Sequence, residues 1–236
     1  MKLEVFDDVD SVAKAAAAMI AVDARRIVAA RGRFLLAVSG GHTPWLMLRA
    51  LADQEVPWSA VHVYQVDERV APEGDPDRNL THLRESLLQH APLPPQQIHA
   101  MPVEASDLEG AAGQYARALE LAGSPPVLDL VHLGLGPDGH TASLVPSDAV
   151  LDVTDRDVAL TGVYQGRRRM TLTYPVLNRA RQVLWVVTGE DKTEMLGRLR
   201  AGDQSIPAGR VRREAALLLA DRAAAGQLAA GHKQGG

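Results

Sequence analysis

The turn that follows residues 130–133 carries the side chains best suited to chemistry. It reads Gly134-Leu-Gly-Pro-Asp-Gly-His140, so an acid and an imidazole stand among three glycines at the end of an apolar run. Glycine allows backbone conformations that let a small substrate approach the main chain closely. Histidine titrates near neutral pH, so His140 could take a proton from water and return it within one turnover. The alternative is a capping or core histidine, and the neighbouring glycines and Asp138 favour a catalytic role.

A second segment, Ser39-Gly-Gly-His-Thr-Pro44, has the properties of a phosphate-binding turn. Ser39 and Thr43 offer hydroxyl groups, Gly40 and Gly41 permit close approach to the backbone, and a helix that starts here would present free N–H groups to an anion. The alternative is an ordinary turn in which Thr43 caps the helix and Pro44 is its first residue. The segment is neither a P-loop nor a nucleophile elbow, because it lacks both Gly-Lys-Ser/Thr and Gly-x-Ser-x-Gly.

Three cationic residues could bind an anionic substrate. Arg69 ends the group Asp67-Glu68-Arg69 behind an apolar strand, where a guanidinium could hold a carboxylate, a phosphate or an oxyanion. The alternative is a solvated charge cluster, with Asn79 capping the next helix. Arg169 begins a later strand and Lys192 follows another, so both could reach the same edge of the sheet. We predict both as phosphate ligands.

The hydrophobic pattern predicts alternating helices and strands that would position these residues. We expect helices over residues 11–30, 44–51, 79–89, 106–121 and 192–199, and strands over residues 34–38, 61–66, 130–134, 157–163, 169–176, 183–188 and 215–220. Ser106 and Glu109 fit a capping box. The predicted fold is α/β: a mainly parallel, Rossmann-like sheet covered by helices on both faces, with a few extra strands in the C-terminal third. We expect one domain over residues 1–236, with residues 229–236 as a frayed tail.

Composition narrows the function classes. The chain has 236 residues, 46% of them hydrophobic, a formal charge of −4 with both signs interleaved, and no cysteine. We expect no nucleic-acid partner, no disulfide and no thiol nucleophile. The histidines show no metal-binding spacing, so we expect no metal site. The start lacks a signal-like region and no apolar run approaches the ~20 residues that span a bilayer, which predicts a cytoplasmic protein with no membrane association.

Taken together, these segments closely resemble the 6-phosphogluconolactonase family. The resemblance rests on Ser39-Gly-Gly-x-Thr-Pro44, on Asp67-Glu-Arg-x-x-Pro72 with Asp75 and Asn79 behind it, and on Gly134-x-Gly-x-Asp-Gly-His-Thr-Ala-Ser-Leu-x-Pro146. Later segments from Arg169 to Asn178 and from Thr188 to Lys192 are also similar, so the resemblance covers nearly the whole chain. The departures are His42 inside the first motif and Val145-Pro-Ser147, where the family often has an aromatic residue, proline and glycine.

The resemblance implies hydrolysis of 6-phospho-D-glucono-1,5-lactone to 6-phosphogluconate in the oxidative pentose phosphate pathway, without a cofactor. His140 would be the general base, Arg69 would orient the substrate and stabilise charge near the carbonyl, and Asp138 would place the loop or the imidazole. The substrate and its phosphate would be bound by Ser39, Gly40, Gly41, Thr43, Asp67, Asn79, Arg169 and Lys192. The partner is thus a small phosphosugar lactone, and a monomer is our working expectation.

Two other functions are compatible with parts of the pattern. Glucosamine-6-phosphate deaminase/isomerase resembles this chain in fold and in the Asp-Gly-His turn, but Val145 stands where that family has a glutamate that assists ring opening. A non-catalytic sugar-phosphate sensor could use the same pocket without needing an imidazole. The presence of both Arg69 and His140 favours the lactonase.

Overall fold

The chain forms two β-sheets and seven α-helices in the computed structural model, which describes residues 1–226. The predicted frayed tail, residues 229–236, lies outside the described residues. The strands are β1 (Lys2–Phe6), β2 (Phe34–Val38), β3 (Val61–Gln65), β4 (Asp67–Arg69), β5 (Ile98–His99), β6 (Leu130–Leu133), β7 (Val158–Leu160), β8 (Arg169–Leu172), β9 (Gln182–Val187) and β10 (Ala216–Asp221). The α-helices are α1 (Val9–Arg31), α2 (His42–Ala52), α3 (Asn79–Leu83), α4 (Leu108–Ala118), α5 (Tyr174–Arg179), α6 (Thr193–Ala201) and α7 (Arg222–Ala225).

The larger sheet has seven strands in the order β1-β10-β9-β6-β2-β3-β5, and its strand pairs are parallel. The chain moves outward from β2 to β3 and β5, then crosses back so that β6 lies on the other side of β2. Such a reversal opens a crevice at the carboxyl ends of the two central strands. The crevice therefore lies beside Val38 and Leu133, directly before the two glycine-rich turns.

Both faces of this sheet are buried, as a continuous apolar strand such as β2 predicts. Because successive side chains of a strand point to opposite faces, Phe34, Leu36 and Val38 pack in one cluster with α1 and α2. Leu35 and Ala37 belong to the cluster on the other face, which includes residues of α4, α6 and β8. The predicted α/β class, with helices on both faces and extra strands in the C-terminal third, is confirmed.

The smaller sheet is antiparallel, in the order β4-β8-β7. The group Asp67-Glu68-Arg69 follows strand β3, as the sequence indicated, but the alternative of a solvated charge cluster is wrong, because Asp67 and Glu68 are buried. These residues form β4, which pairs with β8 so that Arg69 lies opposite Arg169. A pairing across about a hundred residues of sequence leaves no local pattern, since the partner strand decides the conformation.

Several predicted boundaries need correction. The strand expected over residues 169–176 ends at Leu172, and Tyr174 starts helix α5 with Pro175 in its first turn, where the missing N–H is not needed. The strand expected over residues 157–163 is only Val158–Leu160. Beyond Leu83 the expected helix continues as a π-helical turn over Arg84–Leu88. The first strand, Lys2–Phe6, was not predicted.

The helix starts also differ from the expected caps. Asp107, not Ser106, caps α4, and its carboxylate accepts a hydrogen bond of 3.0 Å from the Gly110 N–H. Helix α2 begins at His42 with Gly41 as its cap residue, so Thr43 is not the N-cap. Asn79 does not cap α3 either, since its side-chain amide turns toward Asp67 and Arg69.

Candidate active site

A cleft of about 450 Å³ opens at the carboxyl ends of the central parallel strands, with the small sheet along one side. The turns after β2, β6 and β9 border it, as do β4 and the start of β8. Apart from Asp138, every residue predicted for the site contributes to its lining: Ser39, Gly40, Gly41, Thr43, Asp67, Arg69, Asn79, His140, Arg169 and Lys192. The fold therefore brings distant motifs to one cleft, and the chemical role of each residue remains a prediction.

The imidazole of His140 is held by the turn that carries it. Its Nδ1 lies 2.5 Å from Asp138 Oδ1, and the same carboxylate oxygen accepts the His140 backbone N–H at 3.1 Å. A proton on Nδ1 bound to this carboxylate leaves Nε2 as the basic nitrogen. A Cβ added to Gly136 would lie 2.1 Å from Nδ1, so the ring can occupy this place only because residue 136 is glycine.

Tyr164 completes the environment of the Asp138 carboxylate. Its hydroxyl donates to Asp138 Oδ2 at 2.9 Å, and its ring meets the His140 ring edge-on at 5.5 Å. Partial burial by itself would raise the pKa of Asp138. The positive charge of protonated His140 and hydrogen bonds from His140 and Tyr164 outweigh burial, so the pKa of Asp138 is lowered and the carboxyl group stays ionised.

Arg69 and Arg169 form the cationic side of the cleft. The β4–β8 register sets them opposite each other, and each has a buried Nε–H that lacks a hydrogen-bond partner among residues 1–226. Burial lowers the pKa of Arg169, and the nearby charge of Asp67 acts against that effect. Arginine stays protonated at neutral pH even so. Both guanidinium groups line the cleft, where their positive charges are suited to bind an anion.

A buried network fixes the direction of Arg69. Its Nη1 donates to Asn79 Oδ1 at 2.6 Å and to the Asp77 carbonyl at 2.8 Å. The Asn79 amide donates to the Asp67 carbonyl at 2.9 Å, and Asp67 Oδ2 accepts the Ser143 hydroxyl at 2.6 Å. Asp67 and Asn79 are thus engaged mainly with protein groups. This arrangement supports a role in orienting Arg69, while direct substrate binding by either residue stays a prediction.

Glu68 is the fully buried centre of this side of the site. Its carboxylate accepts the backbone N–H groups of Arg69, Asn79 and Leu80 at 2.8 Å each. It also lies 3.1 Å from the buried Arg78 Nε. Because the Asn79 and Leu80 groups open helix α3, Glu68 satisfies that helix start in place of a local cap. The sequence analysis assigned it no role.

The Ser39–Thr43 turn combines close packing with unused backbone donors. A Cβ on Gly40 would lie 1.9 Å from Asn79 Oδ1, so this turn also requires glycine. The Ser39 hydroxyl donates to the His132 carbonyl at 3.0 Å, and the Thr43 and Thr188 hydroxyl oxygens lie 2.6 Å apart. The first residues of α2 line the cleft, no side chain caps this helix start, and its N–H groups carry the positive end of the helix dipole.

Lys192 brings a further cation to the cleft from the turn after β9. Its Nζ lies 2.8 Å from Asp191 Oδ2, so its charge is partly compensated by the neighbouring residue. Of the three consecutive arginines, Arg167 pairs with Asp75 and Asp77, and Arg168 donates to the Thr161 carbonyl. Arg169 is therefore the member of that run available to the cleft.

Neither metal-binding nor membrane-spanning features were found in the part of the chain that the structure describes. Residues 1–226 contain no group of three or more His, Asp or Glu side chains arranged to hold a metal ion. In the same residues, no helix has both the length and the apolar character needed to cross a bilayer.

Besides Glu68, the sequence analysis missed three side chains that matter to this geometry: Tyr164, Ser143 and Thr188. Ser143 and Thr188 lie within or beside the recognised motifs, but their partners are far away along the chain. Tyr164 lies between two predicted strands, and the signal that could have found it is Gly166. A glycine two residues after an aromatic residue, between strands, is typical of a tight hairpin.

The fold and the cleft together define a class of protein. It is a Rossmann-like α/β protein whose cleft is lined by a histidine paired with an aspartate and by two guanidinium groups, which suits acid–base chemistry on a small anionic molecule. The family model described as "Glucosamine-6-phosphate isomerases/6-phosphogluconolactonase" matches residues 7–219. The chain belongs to this family.

Known relatives agree in length and fold. A 6-phosphogluconolactonase of Synechocystis is 40% identical over 201 residues, covering 81% of this chain and 83% of that protein. A 6-phosphogluconolactonase of Mycobacterium tuberculosis is 37% identical over 241 residues, covering 96% and 98% respectively. The crystal structure of 6-phosphogluconolactonase from Thermotoga maritima superimposes with a TM-score of 0.83 at 26% identity, over 93% of this chain and 98% of that one.

Proposed function

We propose that the protein hydrolyses 6-phospho-D-glucono-1,5-lactone to 6-phosphogluconate, in the oxidative pentose phosphate pathway. The observation that carries the proposal is the pairing of His140 with Asp138 in a cleft that is also lined by the guanidinium groups of Arg69 and Arg169. This substrate has a reactive ester carbonyl at one end and a phosphate dianion at the other. It therefore needs a base and an anion site in the same cleft.

The reaction begins with a water molecule between His140 and the lactone carbonyl. His140 Nε2 takes a proton from the water as its oxygen forms a bond to C1, and the carbonyl electrons move to the oxygen to give a tetrahedral oxyanion. The Arg69 guanidinium stabilises this charge. Collapse re-forms the carbonyl and breaks the bond from C1 to the ring oxygen, which receives the proton from His140. The product is the open-chain acid, which ionises at neutral pH.

Asp138 supports both states of the imidazole. Its ionised carboxylate keeps the proton of the neutral ring on Nδ1 and stabilises the imidazolium that forms during water attack. The same carboxylate receives two further donors, the His140 backbone N–H and the Tyr164 hydroxyl. With its direction fixed in this way, the base needs little reorganisation during turnover.

The phosphate is assigned to the Ser39–Thr43 turn together with Arg169 and Lys192. The free N–H groups at the start of α2 and the two cations favour a dianion there. Ser39, Gly40, Gly41 and Thr43 supply a turn that the phosphate can approach closely. These contacts hold the phosphate in the bound substrate and in the transition state alike, so these residues affect mainly KM.

The direct test is to generate the lactone enzymatically and follow acid release with and without the protein. Because the lactone also opens without help, the informative quantity is the initial rate above the spontaneous rate. We expect a large protein-dependent increase that a chelator leaves unchanged, since the proposed steps use side chains alone. A rate equal to the spontaneous one, with folded protein, would contradict the proposed function, and chelator inhibition would contradict metal independence.

The alternative, deamination and isomerisation of glucosamine 6-phosphate, lacks a side chain that it requires. Val145, which is 3% exposed, occupies the position where the resemblance places the assisting glutamate. An apolar group there cannot exchange a proton with the sugar ring. We expect no ammonia release from glucosamine 6-phosphate under conditions that support lactone hydrolysis. A non-catalytic sensor would instead bind sugar phosphate without accelerating either reaction.

We also propose that the chain acts as a single cytoplasmic domain, as a monomer and without a nucleic-acid partner. In support, the interleaved charges provide no concentrated basic surface, and the substrate is a small diffusible metabolite. Size-exclusion chromatography with light scattering tests the monomer, and cell fractionation tests the location. A stable dimer at assay concentrations would contradict the first proposal.

A further inference from the structure

Tyr164 occupies a position in the cleft region that no recognised motif explains. Its hydroxyl donates to Asp138 Oδ2 at 2.9 Å, while Asp138 Oδ1 holds His140 Nδ1 at 2.5 Å. The two oxygens of one carboxylate are therefore divided between a tyrosine and the proposed base. A carboxylate that is free to rotate would let the imidazole turn as well, so the donor on Oδ2 limits the directions available to Nε2.

A tight hairpin over residues 164–167 positions the Tyr164 hydroxyl. Tyr164 and Arg167 bond each other through their backbones, at 2.9 and 3.2 Å, and Gln165 and Gly166 between them have φ values of 51° and 79°. Positive φ at both central residues is the signature of a type I′ turn, which matches the twist of a hairpin. Glycine adopts this conformation readily. The turn thus fixes the backbone that carries the Tyr164 side chain.

Contacts on both sides of the hairpin hold it in place. Arg167 bonds Asp77 at 2.9 Å and Asp75 at 3.0 Å, joining the hairpin to the loop between β4 and α3. On the inner side, the Arg169 guanidinium lies over the Tyr164 ring at 4.9 Å from its centre. A cation above an aromatic face is attractive, and the partial desolvation of this site strengthens the attraction. The Tyr164 ring therefore packs against Arg169, a proposed phosphate-binding residue, while its hydroxyl bonds the Asp138 carboxylate that holds His140.

We propose that Tyr164 is a positioning residue for the lactonase reaction, which aligns His140 through Asp138 and links the base to the Arg169 side of the cleft. This inference rests on the proposed function. Tyr164 does not take or give a proton in the reaction. It keeps the Asp138 carboxylate in the orientation that directs His140 Nε2 at the attacking water.

The Tyr164 hydroxyl also changes how strongly the Asp138 carboxylate attracts the proton on the His140 imidazole. Its hydrogen bond is one of the contacts that lower the pKa of Asp138. Without that donor, the negative charge is less dispersed and holds the proton on the imidazolium more strongly. Proton return to the ring oxygen then slows, and the acidic limb of the kcat/KM profile moves to higher pH. A purely structural hydroxyl would not move this limb.

The test compares Tyr164→Phe with Tyr174→Phe. Both substitutions remove one hydroxyl and keep the ring, and Tyr174 bonds the Pro207 carbonyl at 2.8 Å, at a site outside the cleft lining. We expect Tyr164→Phe to lower kcat about three- to tenfold with KM within about twofold, and to shift the acidic limb upward. Tyr174→Phe should leave kcat and the pH profile unchanged. Thermal unfolding of each variant shows that the comparison is between folded proteins.

A double-substitution cycle tests whether Tyr164 acts through Asp138. In an Asp138→Asn background, Tyr164→Phe should have little further effect on kcat, because the group that it positions is already changed. Full additivity, or Tyr164→Phe kinetics equal to wild type, would overturn the inference. Failure of the proposed function has a different result, since the wild-type protein itself would then show no lactone hydrolysis above the spontaneous rate.

Discussion

The large parallel sheet and the small antiparallel sheet supply the cleft in different ways. The large sheet contributes the turns that follow its strands, and these carry the backbone donors of Ser39–Thr43 and the imidazole of His140. The small sheet contributes the strands themselves. Its register sets Arg69 opposite Arg169, and its connecting hairpin presents Tyr164. The site thus joins a base that depends on turn conformation to a cationic wall that depends on strand pairing.

This difference predicts how substitutions on each side of the cleft affect activity. A glycine-rich turn is sensitive to added atoms, because Gly136 and Gly40 have no room for a Cβ. The strand pair depends instead on charge and on the buried hydrogen bonds that the Glu68 carboxylate accepts. Substitutions in the turn that holds His140 should therefore reduce kcat by displacing the base, and substitutions in the Ser39–Thr43 turn should mainly raise KM. Substitutions on the strand side should separate into effects on charge stabilisation and on binding.

The largest effect is expected for His140→Ala, which removes the base. We expect kcat to fall at least tenfold and about a hundredfold if proton transfer limits the rate, as acid–base groups usually contribute. Initial rates of lactone hydrolysis measure it. The control is His90→Ala, which changes an exposed histidine bonded to the Glu85 carbonyl. Equal rates for His140→Ala and wild type would remove the proposed mechanism.

The second-largest effect is expected for Gly136→Ala, a substitution in the turn that holds His140. In Gly136→Ala the new Cβ would lie 2.1 Å from His140 Nδ1, so the ring must move away from Asp138 and we expect kcat to fall about tenfold or more. Gly197→Ala is the control, since a Cβ there meets no atom within 4 Å in the described structure and Gly197 does not line the cleft. Kinetics and thermal unfolding of both variants measure the difference. Equal activity of the two alanine variants would show that the ring does not need its observed place.

The two sides also differ in how far sequence alone could define them. The turns beside Ser39 and His140 are local, so glycine, hydroxyl and imidazole residues at the ends of apolar runs indicated both their structure and their place. The parallel sheet followed from the alternation of helices and strands. Local periodicity was enough because each of these elements is determined mainly by its own residues and by burial.

The small sheet and its contacts could not be predicted in the same way. β4 is three residues long and gains its conformation from β8, about a hundred residues away. The division of the Asp138 oxygens between His140 and Tyr164 depends on a hairpin whose place is fixed by Arg167 pairing with Asp75 and Asp77. Such side-chain contacts depend on the assembled tertiary structure, and no short pattern in the chain encodes them.

The roles of the two arginines in the small sheet are tested by comparing Arg69→Ala with Arg169→Lys. We expect Arg69→Ala to lower kcat about tenfold, equivalent to about 1.4 kcal/mol of transition-state stabilisation, because the oxyanion loses its donor. Arg169→Lys keeps a positive charge without the fork of donors, so it should raise KM about threefold with little change in kcat. Steady-state kinetics separate the two results. If Arg69→Ala changed KM alone, the assignment of Arg69 to the carbonyl end would be wrong.

The smallest effect belongs to the phosphate turn. Thr43→Val keeps the shape of the side chain and removes the hydroxyl that lies 2.6 Å from Thr188 Oγ1. We expect KM to rise about threefold and kcat to stay unchanged, since a remote anchor contributes to the bound substrate and the transition state alike. Thr193→Val is the control, because its hydroxyl bonds the Glu190 carbonyl on the exposed surface. A fall in kcat without a change in KM would mean that Thr43 acts near the reacting carbonyl. The residues assigned to the carbonyl and to the phosphate would then have to be reversed.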